Sequence, residues 1–266
     1  MSIQNYTNST IQHQFEIHKV GLAQPFLWLA RGWQDLWQRP WVSIAYGLMV
    51  TMMGVVILLF ASTHIYLIAA AISGFLLAGP FMSTGLCELS RQHEHGQSVG
   101  FDDSLNVLAS KITPIKHFSA TLLIISILWF ILSSLALFAV FGDASPSINA
   151  SVWSSFLEIV SLQQVLLYLV VGGILACIVF ALSVVSIPAI IDSDVTALDA
   201  MLLSVQVVAQ NFFAMIIWAS LIFVLTAIGF ISYLLGMIVI FPLLGHATWH
   251  AYRDLVEIKV EPTDVL

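Results

Sequence analysis

Residues 200–252 read AMLLSVQVVAQNFFAMIIWASLIFVLTAIGFISYLLGMIVIFPLLGHATWHAY, and this run of 53 residues contains no Asp, Glu, Lys or Arg. A single helix over 212–249 would be about 57 Å long at 1.5 Å per residue. The hydrocarbon core of a bilayer is only about 30 Å thick, so the segment must fold back on itself. The small and aromatic residues from Gly229 to Gly236 are the natural turn. The run therefore predicts two membrane spans, near 211–230 and 234–252.

The rest of the chain is equally apolar. Of its 266 residues, 59% are hydrophobic and 9% are charged, against about 25% charged residues in a soluble domain. This composition excludes soluble enzymes, nucleic-acid binders and disordered proteins. Three further charge-free stretches, 40–87, 117–142 and 159–191, are long enough for four more spans. These lie near 42–61, 65–87, 118–141 and 163–190, which makes the predicted fold class an all-α bundle of six membrane-spanning helices.

The basic residues indicate how the bundle is oriented. With six spans, every Lys and Arg falls on one side of the membrane, and the opposite side carries only Asp143 and Glu158. Basic residues mark the cytoplasmic side, so both termini are predicted to be cytoplasmic. The predicted domains are a polar tail with an interfacial helix (1–40), the six-span domain (41–254) and a short cytoplasmic tail (255–266). The eight basic residues are Lys19, Arg31, Arg39, Arg91, Lys111, Lys116, Arg253 and Lys259.

A threefold pattern runs along the chain. An amphipathic segment precedes each odd-numbered span, as expected for helices that lie in the headgroup region. In the first, residues 24–40, the apolar face carries Phe26, Leu29, Trp33, Leu36 and Trp37, and the polar face carries Arg31, Gln34, Asp35 and Gln38. Each even-numbered span contains a proline with a charged residue eleven positions later. The pattern predicts three units of one interfacial helix and two spans, with Trp28, Trp33, Trp37 and Trp41 as interfacial anchors. The proline–charge pairs are Pro80 with Arg91, Pro188 with Asp199, and Pro242 with Arg253.

The candidate functional residues are two histidines near the end of the last span. His246 and His250 are four residues apart and share a helix face, which is the spacing of a two-histidine metal pair. Further ligands for a transition metal or a haem could come from the same membrane side, namely His117, His93, His95 or Glu88. The alternative is a structural role with no cofactor, in which each ring finds a polar partner on a neighbouring helix. Glu88 and Arg91 are the expected partners.

Other residues suggest structural roles. Glu88 and Arg91 are spaced as an i, i+3 ion pair, which lowers the cost of placing charges near a span end. Ala70, Gly74 and Ala78 form a ridge of small residues on the second span. Such a ridge is typical of a surface on which another helix packs closely, within the bundle or between subunits.

Two stretches carry a resemblance to a known family. Gly79-Pro-Phe-Met-Ser-Thr-Gly85-Leu-Cys-Glu88-Leu-Ser-Arg91-Gln-His-Glu94-His-Gly96 and Pro242 to Arg253 resemble motifs of an uncharacterised bacterial membrane family, domain of unknown function 2189. Pro188-Ala-Ile-Ile-Asp192 resembles its middle motif, although Cys87 stands where a Tyr is expected. The resemblance implies an integral protein of a bacterial inner membrane without an established activity. Some members are labelled as a cytochrome c oxidase subunit, but that twelve-span subunit holds its haems with histidines inside its spans, and this chain has its histidines at span ends.

These observations predict a multi-pass membrane protein that is not an enzyme. It would act as an interaction or assembly component of the membrane, or as a carrier of small solutes. The alternative is a redox protein that binds a metal or haem through His246 and His250. The expected partners are the lipid bilayer and other membrane proteins or further copies of the chain, and nucleic acid is not expected.

Overall fold

The computed structural model describes residues 14–61, 65–96, 101–141 and 162–259, and these residues are mostly helical. The elements in chain order are β1 (Phe15–Ile17), α1 (Gln24–Gln38), α2 (Pro40–Ala61), α3 (Ile65–Glu94), α4 (Phe101–Ser110), α5 (Ile112–Phe141), α6 (Leu162–Ser183), α7 (Ser186–Asp192), α8 (Ala197–Gln210), α9 (Phe212–Ile231), α10 (Met237–Leu255) and β2 (Val256–Ile258).

Long helices occupy the positions of the predicted spans. Among the described residues, three segments are long and apolar enough to cross a membrane: Pro40–Ile57, Gly173–Asp192 and Phe212–Ile231. The fold-back predicted within 200–252 is present, because α9 ends at Ile231 and α10 begins at Met237. In the turn between them, Tyr233 and Leu234 have φ angles of 55° and 67°. This left-handed conformation is unusual for residues with side chains.

Helix α10 organises the packing. It contacts α1, α2, α3, α7 and α9. Trp28 of α1 is fully buried, and its ring meets that of Trp218 of α9 edge to face, with centroids 5.6 Å apart. Edge-to-face contact is a favourable arrangement of two aromatic rings. The apolar core therefore extends from α1 across α10 to α9.

A small β-sheet joins the two ends of the described chain, so the fold is not purely helical as predicted. Strand β1 pairs antiparallel with β2, with Phe15 opposite Ile258 and Ile17 opposite Val256. The backbone N–H of Lys259 also donates to the carbonyl of Gln14 at 2.9 Å. Strands of three residues are too short for a pattern of alternating hydrophobicity to reveal them. The pairing places residues 256–258, predicted as part of a tail, beside the N-terminal segment.

Helix α1 buries three residues that were predicted to lie at the membrane interface. Trp28, Leu36 and Asp35 are buried, although Trp28 was expected as an interfacial anchor and Asp35 on a solvated face. A second stripe of large apolar side chains is exposed instead. The exposed stripe consists of Phe26, Trp33 and Trp37, and Trp41 at the start of α2 is exposed as well. The helix thus has one face toward α10 and an aromatic face directed away from the protein.

Candidate functional site

His246 lies in a buried polar site between three helices. Each of its two ring nitrogens contacts a serine hydroxyl. Nε2 is 2.9 Å from Ser43 Oγ of α2, and Nδ1 is 2.7 Å from Ser90 Oγ of α3. The residue is 1% exposed, and both serines are fully buried. A buried polar group costs free energy unless it is hydrogen-bonded. Both ring nitrogens of His246 are satisfied by hydroxyl groups.

His250 lies one turn further along α10 and contacts α1. Its Nε2 is 2.9 Å from Oδ2 of Asp35, which is 6% exposed. Burial raises the pKa of the Asp35 carboxyl, but hydrogen bonds from His250 and Ser90 and the charges of His250 and His246 outweigh burial and bring the pKa below its ordinary value. Asp35 is therefore an ionised acceptor at neutral pH.

Ser90 lies between the two histidine sites. Its Oγ is 2.7 Å from Nδ1 of His246, and it also stabilises the ionised Asp35 carboxyl, which contacts His250. A hydroxyl can both donate and accept, so Ser43 and Ser90 can satisfy either neutral tautomer of His246. The order Ser43, His246, Ser90, Asp35, His250 links α2, α10, α3 and α1. We call these five residues the polar cluster.

Asp254 provides a second link between α10 and α1. Its carboxylate accepts hydrogen bonds from Gln24 Nε2 at 2.6 Å, Trp28 Nε1 at 2.9 Å and Arg31 Nη1 at 2.9 Å. Partial burial raises the pKa of Asp254, and these three donors together with the charge of Arg31 outweigh that effect and lower it. Three side chains of α1 thus converge on one carboxylate of α10.

The remaining polar residues of α10 bind α3 and α7. Trp249 Nε1 donates to Glu94 at 3.0 Å, and Arg253 Nε donates to the same carboxylate at 3.0 Å. The hydroxyl of Tyr252 donates to Asp192, the last residue of α7, at 3.1 Å. The C-terminal half of α10 is consequently hydrogen-bonded to α1, α2, α3 and α7.

Glu88 and Arg91 were expected to be the polar partners of the two histidines, but they pair with each other. Arg91 donates to the buried Glu88 carboxylate from Nε at 2.7 Å and from Nη2 at 2.9 Å, and Gln92 also donates to it. The histidines therefore take Ser43, Ser90 and Asp35 as partners instead.

The other histidines proposed as metal ligands are not gathered with His246 and His250. His93, His95 and His117 have exposed side chains, although His93 is near enough to His246 to act on it electrostatically. In the part of the chain that the structure describes, no three His, Cys, Asp or Glu side chains surround a common metal position. The structure assembles His246 and His250 with hydroxyl and carboxylate groups of three helices.

Sequence reasoning missed the partners on α1. The available signal was a second stripe at helical spacing, since Pro25, Trp28, Gly32, Asp35 and Leu36 all lie on the buried face. This stripe interleaves with the exposed aromatic one. Helical periodicity alone does not distinguish a face that packs on protein from one that faces lipid.

The predicted ridge of Ala70, Gly74 and Ala78 lies in α3, where the structure describes the backbone only. Close helix contacts are described at other glycines. A Cβ atom added to Gly32 would lie 2.9 Å from Cβ of Ala247, and one added to Gly47 would lie 2.0 Å from the carbonyl oxygen of Ile238. Glycine at these two positions permits α1 and α2 to approach α10 closely.

The long apolar helices, together with a helix that exposes an aromatic face, are typical of α-helical integral membrane proteins. Residues 67–192 match the family model DUF2189, described as a predicted integral membrane protein. The matched segment is 126 of the 266 residues, and the match confirms the resemblance to this family seen in the sequence. The stretch from Pro242 to Arg253 lies outside the matched residues. No significant match was found among curated proteins or among solved structures.

Proposed function

We propose that the protein crosses a bacterial inner membrane six times, with both ends of the chain in the cytoplasm. The pairing of β1 with β2 supports this arrangement because it brings the two ends together. The C-terminal end of α10 hydrogen-bonds α1, the end of α3 and the end of α7. Five of the eight Lys and Arg residues stand on these elements or on the paired ends, as the positive-inside rule requires of a cytoplasmic face. They are Lys19, Arg31, Arg91, Arg253 and Lys259.

We also propose that the chain consists of three units that share one order of helices. The first comprises α1 to α3, the second α4 to α7 and the third α8 to α10. In each unit a short helix is separated by a single residue from the long helix that follows, and these residues are Arg39, Lys111 and Asn211. Each unit then ends with a proline-bearing segment, in α3, α7 and α10. The domains are an N-terminal part with α1 (1–40), the span domain (41–254) and a terminal segment (255–266).

The function that this geometry supports best is a non-enzymatic scaffold, that is, an interaction or assembly component of the membrane. The observation that carries this proposal is the attachment of α10 to α1, α2, α3 and α7 through buried hydrogen bonds. A solute carrier alternates access by moving helix bundles against each other. Moving α10 would leave His246, Asp35 and Asp254 without partners, and each unpaired buried group costs about 1–3 kcal/mol.

The lipid bilayer is the first partner of such a scaffold. The exposed aromatic stripe of α1 has the composition of an interfacial helix. Trp33 and Trp37 of this stripe, and Trp41 at the start of α2, would enter the headgroup region. Contacts with other membrane proteins or with further copies of the chain would use the apolar sides of the spans.

A natural cysteine offers a test of scaffold against carrier. Cys87 of α3 is fully buried, and its Sγ lies 3.6 Å from the carbonyl oxygen of Gly245 of α10, so it reports any separation of the two helices. In membranes of the Cys177→Ser protein, we expect N-ethylmaleimide to modify Cys87 at least about a hundredfold more slowly than a cysteine in an exposed loop. The control is Thr196→Cys, made in the Cys177→Ser, Cys87→Ser chain. Comparable rates at the two sites would show that α3 and α10 separate readily and would favour a carrier.

A further inference from the structure

The short helices pack in a cyclic order. Helix α4 of the second unit packs on α3 of the first, and α8 of the third unit packs on α6 and α7 of the second. Helix α1 of the first unit packs on α10 of the third. Each short helix therefore lies on the preceding unit, and the first unit lies on the last. The three units therefore contact one another in the order expected of a closed ring.

Corresponding positions of the three units have corresponding burial. The fourth residues of α2, α5 and α9 are Ser43, Ile115 and Met215, and each is at most 1% exposed. The seventh residues of the same helices are also buried, and they are Tyr46, Phe118 and Trp218. Burial at matched positions indicates that the three long helices present equivalent faces to their neighbours.

The single residues that join short and long helices repeat the same relation. Lys111 of the second unit donates from Nζ to the carbonyl of Ser193, shortly before the third unit begins. Asn211 of the third unit donates to the carbonyl of His18 at 3.0 Å and accepts from the N–H of Val20 at 2.9 Å. His18 and Val20 lie shortly before the first unit. The contact that leads from the second unit to the third thus recurs from the third to the first.

One joint of this ring has no peptide connection. The first and second units, and the second and third, are consecutive in the chain, whereas the third and first meet only through non-covalent contacts. At this unlinked joint Asp35 binds His250, and Asp254 binds α1. The positions that correspond to Asp35 in the other units are Val107 and Val207, which pack in the apolar core. Among these three matched positions, the only carboxylate therefore stands at the joint that lacks a covalent link.

We propose that the three units form a closed ring and that the contacts of Asp254, Asp35 and the β1–β2 pair hold its unlinked joint closed in place of a peptide bond. This inference rests on the proposed threefold repeat. It means that release of the N-terminal segment, residues 14–39, is the easiest local opening of the protein. If the chain instead began and ended between the second and third units, the joint between those two units would become the weak one.

The first experiment weakens the unlinked joint in the full chain. In purified Asp254→Ala protein, we expect trypsin to cleave at Lys19 and Arg31 about tenfold faster than in the wild type. The matched control is Asp194→Ala, which removes the partner of Lys111 at a linked joint and should leave cleavage at Lys111 unchanged. Equal N-terminal cleavage of the Asp254→Ala and wild-type proteins would contradict the proposal.

The second experiment moves the chain ends from the joint between the third and first units to the joint between the second and third. A circular permutant would run from Val195 to Lys259, continue through a short Gly-Ser linker to Gln14 and end at Asp194. The linker is feasible because Lys259 and Gln14 are hydrogen-bonded neighbours. Its control is the chain 14–259 in natural order. In the permutant we expect α8 to become the labile segment, with faster chymotrypsin cleavage at Leu198, while the Asp254→Ala change no longer exposes Lys19 and Arg31.

Two results would overturn the ring. One is a permutant that does not fold although chain 14–259 does, since the second and third units would then need their peptide link. The other is a folded permutant in which residues 14–39 remain the labile segment. Reporter fusions to the folded permutant separate this inference from the proposed topology, because the number of spans is measured independently of which joint opens.

Discussion

At the scale of single residues, the polar cluster shows how a buried histidine is accommodated at a helix end. His246 has hydroxyl partners on α2 and α3, and His250 has a carboxylate partner on α1. Removing one member of a buried hydrogen-bonded set leaves the others unsatisfied, and that penalty exceeds the net contribution of the bond itself. The cluster is therefore most sensitive to loss of the central ring.

We expect His246→Ala to lower the free energy of unfolding by about 1–3 kcal/mol, because Ser43 and Ser90 lose their shared partner. Denaturation in detergent measures this change. The control is His117→Ala, at an exposed position of α5, which should leave stability unaffected. Metal analysis of the same preparations checks the competing hypothesis. A stoichiometric metal that is lost in His246→Ala would show that the ring is a ligand.

The histidine pair could be found from sequence, but its partners could not. The spacing of four residues in one helix is a local property, and it places His246 and His250 on one face. Ser43 is 203 residues away from His246, and Asp35 is 215 residues away from His250. No local pattern specifies such contacts, because they depend on which helices become neighbours.

At the scale of secondary structure elements, α1 shows the same limit. Its helical periodicity was visible in the sequence, and the helix is present at Gln24–Gln38. The prediction for Trp28 was wrong because tryptophan serves two roles in a membrane protein, in the apolar core and at the interface. Trp28 takes the first role, and Trp33 and Trp37 are exposed. Gly32 marks the buried face, since any side chain there would meet α10.

We expect Gly32→Ala to destabilise the protein by about 1–3 kcal/mol, the typical cost of overpacking. The new Cβ would lie 2.7 Å from the backbone nitrogen of Ala247, and a backbone atom cannot move aside as a flexible side chain can. Gly79→Ala is the matched control, because that helical glycine has nothing within 4 Å of an added Cβ. The midpoint of thermal unfolding compares the two variants. Equal midpoints would mean that α1 can shift away from α10 at little cost.

At the scale of the whole molecule, two independent features support the proposal that both chain ends lie on the same side of the membrane. One is the distribution of Lys and Arg in the sequence, and the other is the β1–β2 pair in the structure. Charge counting predicted the common side because the positive-inside rule needs only the order of charges and spans. The sheet itself was missed because each strand has three residues and its partner lies at the other end of the chain.

The central claim is a six-span topology with both ends in the cytoplasm, and reporter fusions test it most directly. An alkaline phosphatase fusion near Ser145, which lies outside the described residues, should be active because that segment is predicted to be periplasmic. A green fluorescent protein fusion after Leu266 should fluoresce because that end is predicted to be cytoplasmic. The basis of both expectations is that all eight Lys and Arg residues fall on one predicted side. Active phosphatase near Ser145 together with fluorescence after Leu266 is the predicted result, and a cytoplasmic location of Ser145 would contradict the account.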